Sequence, residues 1–361
     1  MNRETAHKGR ISLVLSSLFI TSTILSGISF TPKLVLSISL PAITTFLCSC
    51  QKEQTINPNK SDENMTYRIP IECKSDSYEI NSVSILTFRS DSLGRLESYQ
   101  HIDNIRDGKI WLACSSGPKT SYVYANLMIK DEDIARISTV NDLDKFHCNL
   151  EDTTGSSPFM SGVVKTDEWS GAAIVHLKPM ISEITLHTIK CNFAGTPYEG
   201  EELKDASIYL VNVNAQCSLG ESSYQVQRFV NMGGLNPNDL RNFRDPGIIW
   251  KTIQEDIGKN TIHTDISLYC FHNIGTEEGP GSPFTRLVLE GKIQGETYYW
   301  PISINRATDG EGIRSNTSHI YNLTIRRKGS LDPDAEMFIK DCNIAMEWEE
   351  WKEKEEYVIS F

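Results

Sequence analysis

None of the nine cysteines stands in a CxxC, and only Cys48 and Cys50 lie close together. Zinc sites usually need paired short spacings, so scattered cysteines read as small buried apolar residues. The eight histidines form no HExxH and no other metal spacing. His176 and His187 fall on predicted strands and read as packed or surface-facing. The chain has no GxSxG elbow, no Walker loop and no GxGxxG, so it shows no nucleophile, phosphate cradle or dinucleotide fingerprint. Positive charge is also scarce. Lys and Arg number 35 against 47 Asp and Glu, a formal net of −12. A chain this acidic lacks the electrostatic footprint of a nucleic-acid binder. With 39% hydrophobic and 23% charged residues, it is neither disordered throughout nor a multi-span membrane protein. No catalytic residue, metal ligand or cofactor site emerges.

What is present begins with two apolar runs, 11–30 and 34–47, separated by Thr31, Pro32 and Lys33. The second run is too short to span a bilayer but suits a signal-peptide core, with Lys33 as its positive flank. It ends in Leu47-Cys48-Ser49-Cys50. This resembles the bacterial lipobox: an aliphatic residue, two small residues, then the cysteine that is lipidated. Cys50 is the expected attachment point, and residues 1–49 the signal segment. The competing reading is an ordinary secretory signal with a coincidental cysteine. Residues 1–49 carry Arg3, Lys8, Arg10 and Lys33 against Glu4, leaving a net of −15 to the rest. An anionic membrane repels such a chain, so any attachment must be apolar or covalent. Residues 50–63 are polar and aperiodic and read as a lipidated tether.

From residue 64 on, alternation at period two dominates. Met65, Tyr67, Ile69, Ile71 and Cys73 fall on one face of a first strand. Pro70 cannot donate to a ladder, so this strand is expected at an edge or with irregular pairing there. Further strands are predicted at 82–88, 108–113, 121–129, 172–177, 181–190, 206–213, 264–271, 285–293, 297–304, 319–326, 339–348 and 356–361. Asp91-Ser92-Leu93-Gly94 reads as a hairpin turn. Only 131–145 and 237–244 have room for helix. Many short strands with Gly, Asn and Asp turns predict an all-β chain of antiparallel β-sandwiches. At 361 residues, about two domains are expected: 64–180 and 181–361.

These features together resemble the fimbrillin superfamily of Bacteroidetes pilus subunits. The resemblance rests on the lipobox and tether, on the first strand Met65–Cys73, and on Ile80–Phe88 with its turn. It continues through Phe159-Met160-Ser161-Gly162 before Ile174–Ile189, and through Gly295–Pro301. It ends with His319–Ile325, Lys328-Gly329-Ser330, Asp332-Pro333-Asp334 and the closing strand. It implies two transthyretin-like β-sandwich domains, export as a lipoprotein to the outer membrane and assembly into surface fimbriae. The implied partners are other pilus subunits, the outer membrane through the lipid, and a host or bacterial surface ligand in adhesion. In shaft-type members an Arg after the first strand is cut to free the strand's groove. Here Lys74 stands in that place, with Arg68 inside the strand and Arg89 beyond the next.

A sandwich that loses its first strand exposes an apolar groove with unpaired backbone groups, which another strand can fill. Met65, Tyr67, Ile69 and Ile71 are the expected exchanged strand. Tyr357, Ile359 and Phe361 alternate at the C-terminus and are the expected donor. The alternative is a last strand that completes its own sandwich, which is the reading favoured for 342–348. A second function is also open: Trp111, Tyr298, Tyr299, Trp300, Trp348 and Trp351 are candidate stacking platforms for a surface glycan, although buried aromatics are the plainer explanation for most of them.

Overall fold

The computed structural model describes residues 67–75, 78–105, 109–167, 172–220, 226–232, 243–275, 277–279, 281–306, 312–333 and 355–360. The N-terminal half holds β1 (Tyr67–Lys74), β2 (Ser82–Arg89), β3 (Leu96–Asp103), β4 (Lys109–Cys114) and β5 (Lys119–Ala125), followed by β6 (His147–Asn149), β7 (Met160–Thr166), β8 (Ala173–His176) and β9 (Lys178–Pro179). Their sheets are ordered β3-β2-β5-β7-β9 and β4-β1-β8. Between these sheets lies a core of Ile71, Val83, Ile85, Leu112, Val123 and Val175. β2 is buried continuously from Val83 to Phe88, with Ser84 and Thr87 among its buried residues, because both of its faces are covered. Val83 and Ile85 meet the β4-β1-β8 sheet, whereas Leu86 and Phe88 pack beneath residues 127–159.

The later strands are β10 (Ile181–Cys191), β11 (Lys204–Val211), β12 (Val213–Asn214), β13 (Gln216–Ser218), β14 (Phe229–Val230) and β15 (Trp250–Thr252). They continue as β16 (Ile262–Phe271), β17 (Arg286–Ile293), β18 (Glu296–Ser303), β19 (Ser318–Ile325) and β20 (Glu355–Ser360). Two four-stranded sheets result, β16-β10-β19-β20 and β15-β11-β17-β18. Trp300 is fully buried in the core beside Tyr298. Its indole N–H donates to the Arg327 carbonyl at 3.2 Å, which satisfies the one polar group it brings inside. A short ladder, β6 with β13, ties a segment of the N-terminal half to one of the C-terminal half.

The chain is all-β sandwich, with three parallel pairings among the described residues that alternation alone does not reveal: β1 with β8, β10 with β19, and β19 with β20. The turn after β2 forms as expected. Gly94 takes φ +54°, and the Asp91 carboxylate accepts the N–H groups of Leu93 and Gly94 at 3.0 and 2.8 Å. Over 131–145 the helix is split into a turn at Asp131–Ile134 and a 3-10 stretch at Val140–Lys145. The break falls where the Ser138 carbonyl accepts the Leu96 N–H at 2.9 Å. After it, Asp142 caps the second piece through the N–H groups of Ser138 and Thr139. Most of 237–244 and all of 339–348 lie outside the described residues.

Candidate strand-exchange site

Strand β1 runs antiparallel to β4 and parallel to β8. Ile71 stands opposite Ile110 on one side and Ala173 on the other. Ile71 and Cys73 are buried among Val83, Ile85, Ile110, Leu112 and Val175, while Lys74 is exposed and paired with Glu72 at 3.4 Å. The burial follows the predicted alternation. Burial pushes the Cys73 thiol up to about 12, as expected of an inert packed cysteine. Tyr67 and Ile69 enter by register alone, opposite Cys114 and Leu112. Met65 lies outside the described residues.

The expectation of an edge strand holds only over the first half of β1. The ladder to β8 begins at Ile71, so Pro70 has a neighbour only in β4, opposite Trp111. At Ile71 and Glu72 the strand is paired on both sides, and the ladder to β8 continues through Lys74. Proline is placed where β8 does not reach, and a missing donor there breaks no ladder on that side. Withdrawing β1 would leave β4 and β8 unpaired along facing edges and open the apolar residues beneath.

At the other terminus, among the described residues, β20 pairs with β19 alone and forms the sheet edge. Tyr357 stands at the register position of Tyr321, and Ile359 at that of Leu323. Phe361, Cys50, Ile344, Met346 and Trp348 lie outside the described residues. Among the described residues the last strand is therefore held in this single chain by one ladder, on its own β19.

The other candidate residues disperse. His176 is exposed on β8. The His187 Nδ1 meets the Asp265 carboxylate at 2.5 Å, and its ring meets His263 edge-on. Among the described residues no His, Cys, Asp and Glu group is arranged to hold a metal ion. The named aromatics do not share one face among the described residues: Tyr298 and Trp300 are buried in the core, Tyr299 is half-buried against the cluster of Tyr209, Val211 and Val288, and Trp111 is 61% exposed on β4. Trp348 and Trp351 lie outside the described residues.

A feature that sequence reasoning missed is a cavity of about 610 Å³ lined in part by Tyr124, Gly162, Lys178, Cys217, His272 and Asn316. Gly162 lets β7 come close to β8, because a Cβ there would stand 2.7 Å from the His176 carbonyl. In the cavity wall the Cys217 sulfur lies 3.9 Å from the His272 Nδ1. Cys148 stands directly opposite Cys217 across the β6–β13 ladder. The cysteines are 69 positions apart, so no local pattern in the sequence brings them together.

No protein-family model matches the chain, and no curated protein does. Solved structures do. A candidate cell-adhesion protein from Bacteroides eggerthii superposes with a TM-score of 0.61 at 15% identity, over 84% of this chain and 99% of that one. A candidate cell-adhesion protein from Parabacteroides distasonis gives 0.54 at 14% identity, over 76% and 91%. A fimbrilin from Porphyromonas gingivalis gives 0.53 at 11% identity, over 81% and 96%. The chain has the β-sandwich fold of these fimbrial and adhesion proteins, over nearly the whole length of each.

Proposed function

We propose that this chain is a structural subunit of a cell-surface pilus, built from two sandwich domains over 64–180 and 181–361. In this reading it is exported as a lipoprotein on Cys50 to the outer membrane and joined to neighbouring subunits by strand donation. The observation that carries the reading is the pairing of two termini of opposite character. An N-terminal strand lies inside an apolar sheet, and a C-terminal strand lies at a sheet edge on a single ladder. Removal of the first creates a groove, and a strand like the second fits one: backbone groups complete the ladders, and alternate side chains fill the pockets. The fold shared with a fimbrilin supports the same reading. Its partners are other pilus subunits, and its surface location suits adhesion to a host or bacterial ligand.

A second reading has one specific observation behind it. Because β20 docks on its own β19, the chain also suits a non-polymerising anchor or accessory subunit that keeps its last strand. The two readings separate on material sheared from cells and run unheated in SDS. A concentration-dependent ladder of resistant oligomers is expected of the polymerising subunit. A stable monomer at every concentration points to the accessory role. A stable monomer with saturable polysaccharide binding would instead revive the glycan reading.

A further inference from the structure

Cys148 and Cys217 stand as direct partners in an antiparallel ladder. The flanking bonds, Leu150 N–H to Ala215 carbonyl and Leu219 N–H to Phe146 carbonyl, are each 2.9 Å. They fix the alternation, so 148 and 217 form a hydrogen-bonded pair, whose Cα atoms in general lie about 5.5 Å apart. That spacing lies within the Cα range of a disulfide; the side chains of a hydrogen-bonded pair stand at the wider end of cross-strand Cβ separations, so closing the bond draws the two short strands together. Both side chains are buried, but only Cys217 lines the cavity. His272 is held beside it: its carbonyl accepts the Asn214 side-chain N–H at 2.8 Å, and its Nδ1 faces both the Cys217 sulfur and the Ser315 hydroxyl.

We propose that Cys217 and Cys148 form a thiol–disulfide exchange site, with Cys217 as the attacking thiolate and Cys148 as the resolving thiol. A small-molecule disulfide enters the cavity. The Cys217 thiolate attacks one of its sulfurs, the S–S bond breaks, and one thiolate leaves with the electron pair and takes up a proton. The Cys148 thiol then gives up its proton and attacks the Cys217 sulfur, expelling the second thiol. Two protein thiols are oxidised to one cystine, and one external disulfide is reduced to two thiols. The product joins β6 to β13, and so staples the N-terminal half of the chain to the C-terminal half.

The cavity, which Cys217 lines and Cys148 does not, divides the two roles, and the electrostatics run in the same direction. The neighbouring Cys148 thiol stabilises a Cys217 thiolate and draws its titration below the ordinary range, against the cost of burial and with help from His272 and His147. Cys148 itself is pushed well up by Cys217 and by burial. The other titratable groups nearby are Asp144 beside Gly220 and, lining the cavity, Tyr122, Tyr124, His176 and Lys178.

The test takes the cell-purified protein, reduced and freed of reductant, and exposes it to glutathione disulfide. Intact mass should show the loss of two hydrogens, and peptide mapping should show one new linkage, Cys148 to Cys217. Cys148→Ser should stop at one glutathionyl group on Cys217, and Cys217→Ser should take neither product. In the unmodified protein at neutral pH, iodoacetamide should label Cys217 faster than Cys270, whose thiol burial pushes up. Wild-type protein that stays fully reduced, links other cysteines, or labels Cys217 no faster than Cys270 overturns the proposal.

Discussion

Deletion of residues 355–361 is expected to leave the monomer's melting temperature nearly unchanged and to abolish polymers. Among the described residues of the single chain this strand has one neighbour, β19, and β19 is already paired on its other side with β10. The deletion thus removes an edge ladder, whose hydrogen bonds are each worth only ~0.5–1.5 kcal/mol net because water replaces them. In a neighbour's groove the same strand would lie between two strands over an apolar floor. Tyr357, Ile359 and Phe361 would each contribute ~1.5–3 kcal/mol on burial, in addition to two rows of backbone bonds. Ile359→Asp should act like the deletion, since an unpaired carboxylate enters an apolar groove only at high cost. Thermal melting and unheated SDS gels of surface material read the two effects separately. A truncated chain that no longer folds would place the strand in its own sandwich. Truncated protein that still polymerises would place the donor elsewhere.

Cys50→Ala is expected to move the protein from the membrane fraction to the soluble fraction, or to halt its maturation. The chain from Cys50 onward holds a net of −15, which an anionic surface repels, so the proposed anchor is the lipid alone. Acyl chains contribute ~0.8 kcal/mol per buried CH₂, and more than one chain gives stable attachment. Loss of the single cysteine that carries them should therefore release nearly all of the protein. Metabolic labelling with palmitate followed by fractionation checks it. Label and fractionation equal to the parent's would mean that Cys50 is not the attachment point.

Alternation located most of the large strands. The run predicted at 181–190 is β10, Ile181–Cys191, and 285–293 is β17, Arg286–Ile293. It missed β3, because LESYQHID is half-buried along almost its whole length and shows no period. It missed β7, whose Gly162 reads as a break but serves a close approach to β8. The parity of β1 was legible, with Ile71 and Cys73 inward, but its position between two strands was not. A pattern gives a strand's faces and leaves its partners open. For the same reason the parallel seat of β20 on β19 had no sequence signal. The Cys148–Cys217 pair was invisible because its two halves come from short strands far apart in the chain.

The seat of the last strand in assembled material tests the central claim most directly. A photoactivatable cross-linking residue at position 359, irradiated in polymers on intact cells, reports what lies beside it. Strand donation predicts cross-links between subunits, to Ile110, Leu112 or Val175 in the groove left by β1. Cross-links confined to Leu323 of the same chain, its register partner in the single subunit, would contradict the account.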